Sequence, residues 1–181
     1  EILFENSSLD KKKVILMDFQ KFKGGIHFFY ILPFSSKKGL FETTYFSTKI
    51  LNDSIYKSDI RKYLKRKFPN QKYKIKFVEK GIIPMFHFDK LTKYSFPIGT
   101  SGNWVRPSTG YAFQNSFINA KKIVDNLLKD KKPNIYIDKK INFLDRIFCY
   151  YITNYSSDSK TFFKFFFYKN KFKDIISFLI G

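Results

Sequence analysis

Two apolar runs separated by a short polar segment place the strongest constraint on how this chain can fold. The runs are 26–34 (IHFFYILPF) and 40–47 (LFETTYFS), and the polar residues 35–39 lie between them. Runs of this length, rich in aromatic and β-branched residues and bounded by turn-forming residues, are typical of strands joined by a hairpin. With a third run at 14–19, they predict an antiparallel meander.

Beyond the meander the apolar spacing changes. Apolar residues three, four and eight positions apart predict a short helix over 58–68, and alternation over 73–79 predicts a fourth strand. Helical spacing then predicts a long helix near 109–130, with further helices at 141–151 and 161–180. The chain is therefore expected to combine an antiparallel sheet with helices that follow it.

The composition is basic and aromatic. Lys and Arg number 34 against 15 Asp and Glu, a formal charge of +19, and 24 Phe and 12 Tyr are present. Such a charge suits nucleic acid or an anionic membrane surface. However, the lysines are spread along the whole chain and arginines are few, so we favour a compositional bias over a nucleic-acid site. No apolar run reaches the about 18 residues of a membrane-spanning helix.

Two glutamates are candidates for acid chemistry. Alternation places Glu42 on the strand face of Leu40 and Phe46, and Glu79 on the face of Tyr73. A carboxyl group on an apolar face tends to hold its proton near neutral pH, as a general acid must. The opposing interpretation is a glutamate that faces water or pairs with a lysine, and spacing alone favours it. Asp18 is a weaker candidate of the same kind.

A loop rich in small residues precedes the long helix, at 99–102 (GTSG) and 107–110 (PSTG). Small residues allow close approach of the backbone, and the free N–H groups at the start of a helix favour negative charge. The loop is therefore a candidate cradle for an anion or phosphate, although most such loops bind nothing. No GxGxxG, P-loop or HExxH pattern occurs, and His27 is more often a packed core residue than a ligand.

Three stretches in order resemble the bacterial flavin-dependent lycopene cyclases, most closely the form typical of marine and gliding bacteria. They are FFYILPFSSKKGLFETTYFS, EKGIIPM and IGTSGNWVRPSTGYAFQNS, and PSTGYAFQ with IPM is the most specific part. The likeness covers nearly the whole chain. It implies an α/β fold like that of FAD-dependent monooxygenases and geranylgeranyl reductases, in which a Rossmann-type half binds the flavin and an antiparallel sheet roofs the substrate.

The resemblance also implies a division of the chain. Residues 1–97 would belong to the substrate-binding sheet domain, 98–132 would form the flavin-contact loop and helix, and 133–181 would form a C-terminal helical segment. Because no GxGxxG occurs here, we expect the Rossmann half to precede these residues. The apolar side of the long helix would then face space that this half fills.

The implied activity is that of lycopene β-cyclase, an isomerase of carotenoid biosynthesis. An acid protonates the end double bond of a ψ-end, the cation closes a six-membered ring, and a proton leaves to give the β-ring. Reduced FAD, with electrons from NAD(P)H, would stabilise positive charge without net redox change. Plant members carry the acid in the motif FLEET, matched here by 40–44. Glu42 keeps the first carboxylate and Thr43 replaces the second, so Glu42 and Glu79 are the catalytic candidates.

The wider flavin fold carries a Gly-Asp pair where this chain has Gly99 and Thr100. Loss of that Asp would leave more of the cofactor binding to backbone N–H groups. The cofactor contacts that the resemblance implies are Gly99, Thr100, Ser101, Gly102, Pro107, Thr109, Gly110 and Tyr111.

Three other interpretations stay open: a flavin-dependent prenyl reductase or hydroxylase of the same fold, a basic nucleic-acid-binding module, and an inactive fragment. For the cyclase we expect lycopene and other ψ-end carotenoids as substrates. We also expect peripheral association with the inner, cytoplasmic face of the cell membrane, because the substrate dissolves in lipid and the Phe-rich tail from Thr161 offers apolar insertion.

Overall fold

The computed structural model describes residues 1–88 and 95–180. They form two compact units. The first comprises Glu1–Gly81 with Tyr155–Lys160, and the second comprises Ile82–Asn154 with Thr161–Gly181.

The first unit is built on a five-stranded antiparallel sheet with the order β2-β3-β4-β1-β5. The long hairpin of β3 and β4 pairs Phe28 with Thr44 and Tyr30 with Glu42, which confirms the predicted meander. The strands are β1 (Ile2–Phe4), β2 (Ile15–Gln20), β3 (Gly25–Pro33), β4 (Lys38–Ser47) and β5 (Tyr73–Ile75).

Helix α1 (Asp53–Lys67) covers one face of this sheet. Its Tyr63 ring stacks on Phe29 with 3.8 Å between ring centroids, and both rings are buried. Burial of apolar side chains between a helix and a sheet is the main stabilising term in such a layered unit. The core cluster consists of Ile2, Phe4, Phe29, Ile31, Phe41, Tyr63 and Leu64.

Two sequence predictions for this unit need correction. The helix predicted at 58–68 begins earlier, at Asp53, and Tyr56, four residues before Ile60, already follows the helical apolar spacing. The strand predicted at 73–79 ends at Ile75. The next residues continue the pairing only through terminal contacts: Lys76 N–H donates to the carbonyl of Glu1 at 2.9 Å.

The second unit is helical. It contains α2 (Phe113–Leu127), α3 (Lys139–Asn154), most of α4 (Ser159–Lys169) and α5 (Phe172–Ile180). The segment predicted as one helix over 161–180 is therefore two helices. The Asn170 side chain donates to the carbonyl of Phe166 at 2.7 Å, which satisfies a carbonyl group at the end of α4.

Helix α2 begins at Phe113 rather than near 109, and its apolar side is open to solvent. The side chains of Phe113 and Phe117 are 77% and 69% exposed, so the expected incomplete burial is observed. What this side faces in the natural protein stays a prediction. None of the helices within the described residues is both long enough and apolar enough to cross a membrane.

Candidate functional site

Glu42 lies in the middle of β4, on the sheet face opposite to α1. Its cross-strand partner is Tyr30, and partners in a sheet share a face. The Thr44 hydroxyl donates to Oε1 of Glu42 at 2.7 Å. The Glu42 side chain is itself exposed, whereas Thr44 is half-buried. Glu42 therefore faces water on this side of the sheet, which is the opposing interpretation of its position, and the desolvated carboxyl group expected from the alternation is not observed among the described residues.

The same face carries a group of aromatic rings. Phe28 is buried, and its ring meets that of Phe46 edge-on with 5.5 Å between centroids. Phe19 of β2 approaches Phe28 at 6.1 Å. Ring faces attract cations, so an acid among these rings has the surroundings that a carbocation reaction needs.

Glu79 does not join this arrangement through the sheet. It follows the end of β5 and is exposed, and β1 lies between β4 and β5 in the strand order. The prediction that alternation places Glu79 on a strand face is wrong, because the strand ends four residues earlier at Ile75. The neighbouring Lys80 pairs with Asp53 at the start of α1.

Asp18 lies on the α1 side of the sheet and is held as an anion. The Tyr63 hydroxyl donates to Oδ2 at 2.7 Å and Lys67 Nζ lies 3.0 Å from the same oxygen. Burial raises the pKa of the Asp18 carboxyl, but the hydrogen bonds from Tyr63 and Lys67 lower it by more, so the net shift is downward. A group with a lowered pKa is a poor proton donor near neutral pH.

Thr43, where a second carboxylate stands in the plant motif, points away from Glu42. Its Oγ1 lies 2.9 Å from Nε2 of the buried His27, on the α1 side of the sheet. Burial lowers the pKa of His27, against the opposing charge of Asp59, so the ring is neutral near neutral pH. His27 also stacks on Tyr45, which donates to Asp59. This polar layer under the sheet was not predicted, and it confirms His27 as a packed core residue.

The first part of the predicted cofactor loop is a tight turn of small residues. Gly99 has φ +60°, and its carbonyl accepts from Trp104 N–H at 3.0 Å. A Cβ at Gly102 would lie 2.5 Å from the carbonyl oxygen of Pro97, so no side chain fits there. Thr100 and Ser101 form the exposed part of this turn.

The second part closes on itself directly before α2. Arg106 N–H donates to the carbonyl of Tyr111 at 2.9 Å, and Gly110 N–H donates to the carbonyl of Arg106 at 2.8 Å. Gly110 has φ +71°, a conformation that L side chains rarely adopt. The closed loop, Arg106–Tyr111, therefore brings Pro107, Thr109, Gly110 and Tyr111 together, and it explains why α2 begins only at Phe113.

The donors around this loop fit a group rich in hydrogen-bond acceptors. Helix α2 has no side-chain cap at its N-terminus, so its first N–H groups lack that partner. The indole Nε1 of the buried Trp104 has no hydrogen-bond partner within the described part of the chain. The uncapped N–H groups at the start of α2 and the small residues of the turn suit the carbonyl-bearing ring of a flavin, whereas the Trp104 indole N–H is buried. Thr100 offers no carboxylate for a ribityl chain.

Beneath the closed loop lies a buried ionic network that sequence patterns did not reveal. The carboxylate of Asp145 in α3 accepts three hydrogen bonds. Its Oδ2 accepts from Nε of Arg106 at 3.2 Å, and its Oδ1 accepts from Nη2 of Arg106 and from the Ser108 hydroxyl at 2.6 Å. Arg106 also donates to the carbonyl of Phe178 in α5. One sequence signal for this network was available, the acidic residue Asp145 within the largely apolar stretch FLDRIF. No group of three or more metal-binding side chains lies within residues 1–88 and 95–180.

The comparisons with known proteins point to one family. A family model described as lycopene cyclase protein matches residues 1–166 of the 181. No curated protein and no solved structure matched the chain. With more than nine-tenths of its residues matched, the chain belongs to the lycopene cyclase family.

Proposed function

We propose that this carotenoid cyclase is a lycopene β-cyclase that uses reduced FAD, with Glu42 as the general acid. The observation that supports this most is the position of Glu42. It lies on the sheet face opposite to α1, which also carries the buried ring of Phe28, in a chain of this family. A general acid needs a fixed backbone and a reachable carboxyl group, and β4 offers both.

The proposed proton transfer starts at Glu42. Thr44 donates to Oε1, so we assign the transferable proton to Oε2. That proton adds to the end double bond of a ψ-end of lycopene, the cation closes a six-membered ring, and a proton leaves to give the β-ring. No atom is gained or lost. Phe28 and Phe46, on the same face, would stabilise the positive charge through their ring faces.

The cofactor site is proposed around the two parts of the loop before α2. Gly99, Thr100, Ser101 and Gly102 would hold the cofactor through their backbone. Reduced FAD, kept reduced by NAD(P)H, would supply negative charge that stabilises the cation without net electron transfer. The residues of the second part that would contact it are Pro107, Thr109, Gly110 and Tyr111.

Peripheral membrane association is proposed for α4 and the residues that follow it. Phe165, Tyr168 and Phe172 expose 57%, 85% and 76% of their surface, and the exposed Lys164 and Lys169 flank them. Exposed aromatic rings beside lysines suit an anionic lipid surface, where the substrate also resides. In a cell this surface would be the inner face of the membrane.

The test is Glu42→Gln in the full-length protein, assayed for lycopene cyclisation in vesicles with reduced FAD. Glutamine keeps the size of the side chain but cannot give up a proton of this kind. General acid catalysis contributes about 10²–10⁴-fold, and we expect a loss at the upper end because an alkene has no easier route to a cation. FAD binding, measured by flavin fluorescence, should be unchanged.

Glu79→Gln is the matched control, because Glu79 is exposed and lies beyond the end of β5. We expect at most a small decrease in rate. Cyclisation by Glu42→Gln near the parent rate would contradict the assignment. Oxidation of one NAD(P)H for each ring formed would instead favour a prenyl reductase or hydroxylase.

A further inference from the structure

The closed loop Arg106–Tyr111 has two internal backbone hydrogen bonds, so it behaves as one small rigid piece. Both bonds involve Arg106, whose N–H and carbonyl pair with Tyr111 and Gly110. The Arg106 side chain takes no part in these two backbone bonds, and the residue is only 2% exposed. Whatever holds that side chain therefore sets the position of the loop.

Asp145 and α5 hold the Arg106 side chain. The guanidinium group meets Asp145 with two of its nitrogens and the carbonyl of Phe178 with the third, and it lies 5.0 Å from the centroid of the Phe178 ring. Ser108 adds a second anchor from the loop to Asp145, at 2.6 Å. One end of the loop is thereby fixed to both α3 and α5.

The buried charges in this network are well compensated. The Asp145 carboxylate receives three donors, and the pair is 2% and 3% exposed at its side chains. A buried ion pair adds little to the free energy of unfolding, but it constrains geometry. If either partner moved, the other would stay buried without its hydrogen bonds, at a large cost in free energy. Only arginine has the planar fork that reaches two carboxylate oxygens and a third acceptor together.

We infer that Arg106 and Asp145 are positioning residues for the cofactor loop, which fix Thr109, Gly110 and Tyr111 against α3 and α5 so that the loop meets the cofactor in one geometry. The inference rests on the proposed cofactor contacts of these three residues. Neither Arg106 nor Asp145 is expected to touch the flavin or the substrate. Their effect on the reaction would be exerted wholly through the loop.

The test compares Arg106→Lys with the parent in the full-length protein. Lysine keeps the charge but has a single nitrogen, so it can satisfy Asp145 or the Phe178 carbonyl and not both. Two quantities are measured: the affinity for FAD by flavin fluorescence, and the hydrogen–deuterium exchange of the amides within 105–112. We expect FAD binding to weaken about tenfold and these amides to exchange about tenfold faster, from loss of one charged hydrogen bond. The amides of α3 should be unchanged.

A second variant separates positioning from folding. Arg106→Met with Ser108→Ala and Asp145→Leu replaces the network by apolar groups, a change that often leaves a protein equally stable. This variant should melt within about 5 °C of the parent and still bind FAD weakly. Arg66→Lys is the matched control, since Arg66 is exposed and donates to Gln20 at 2.6 Å. It should change neither quantity.

The outcomes separate the two proposals. Unchanged amide exchange within 105–112 in Arg106→Lys would overturn the positioning role, whatever the affinity for FAD. Faster exchange with unchanged FAD affinity would show that Arg106 holds the loop but would overturn the assignment of the loop as a cofactor contact, and with it the inferred role in cofactor binding. Faster exchange with weaker FAD binding supports the inference. Loss of activity in Glu42→Gln is independent of all three results.

Discussion

The two units of this protein differ in what lies at their most buried positions. In the first, the interior is an apolar cluster between a sheet and α1, with Phe4, Phe29 and Tyr63 among its most buried members. In the second, the side chains with the least exposure include the charged pair Arg106 and Asp145. Apolar packing is non-directional, whereas an ion pair with three donors on one carboxylate fixes an orientation.

This difference suits the roles proposed for the two units. A flat sheet face needs only a rigid backbone to hold an acid such as Glu42 among aromatic rings. The closed loop Arg106–Tyr111, which is proposed to contact the cofactor, has few large apolar side chains of its own to bury. Its position must then come from directional bonds, and Arg106 with Ser108 supplies them.

The largest expected effect on stability is in the first unit. Phe4 is 1% exposed, and its ring lies 4.9 Å from that of Phe68. Phe4→Ala removes the ring and leaves a cavity, which should lower the free energy of unfolding by about 3–5 kcal/mol. Chemical denaturation followed by circular dichroism measures it.

Phe113→Ala on α2 is the matched substitution in the second unit. The ring is 77% exposed, so its removal should change the free energy of unfolding by less than about 0.5 kcal/mol. This expectation holds for residues 1–181 alone. In the full-length protein, a loss as large as that of Phe4→Ala would show that another part of the protein covers this side of α2, as the resemblance implies.

A smaller, pH-dependent effect is expected at Asp18. Asp18→Asn removes the charge that Tyr63 and Lys67 stabilise. We expect a loss of about 1–2 kcal/mol at pH 7, since the pair is partly exposed. Because the folded-state pKa of Asp18 is lowered, its contribution is present above the unfolded value of about 3.9 and is lost as the pH falls below it.

The difference in unfolding free energy between Asp18→Asn and the parent should therefore shrink on acidification below about pH 4. Tyr63→Phe serves as the partner variant, since it keeps the ring stacked on Phe29 and removes one donor. The loss of unfolding free energy in the variant that combines Asp18→Asn with Tyr63→Phe should be smaller than the sum of the two single losses. Full additivity, or a difference that grows toward low pH, would contradict the assignment of an anion stabilised by Tyr63.

The sheet was largely predictable because its signal is local. Two apolar runs and the five-residue polar segment between them suffice to define the β3–β4 hairpin. Strand β1 was missed, since three residues, Ile2–Phe4, are too few to show a period. The start of α2 was placed too early because the loop before it closes through hydrogen bonds of Arg106 and Gly110, which no periodicity reveals.

The site was predictable only in part, for a similar reason. Alternation placed Glu42 on the strand face of Leu40 and Phe46, and the structure agrees. The anchor of the closed loop joins Arg106 to residues 39 and 72 positions further along the chain. Contacts at such separations depend on how α3 and α5 pack, and packing is decided by the whole unit rather than by any window of sequence.

The exposed rings of α4 should affect membrane binding much more than stability. Phe165→Ser with Tyr168→Ser removes two side chains that are 57% and 85% exposed, so the free energy of unfolding should change by less than about 1 kcal/mol. Binding to vesicles that contain anionic phospholipid should nevertheless weaken about tenfold, because rings that would enter the bilayer interface are lost. Sedimentation with vesicles measures it. Phe34→Ser is the control, since Phe34 is a 49% exposed ring of the first unit, and it should leave vesicle binding unchanged. If both variants bind vesicles like the parent, α4 is not the membrane-binding surface, and the dispersed lysines alone would account for any attraction that salt abolishes.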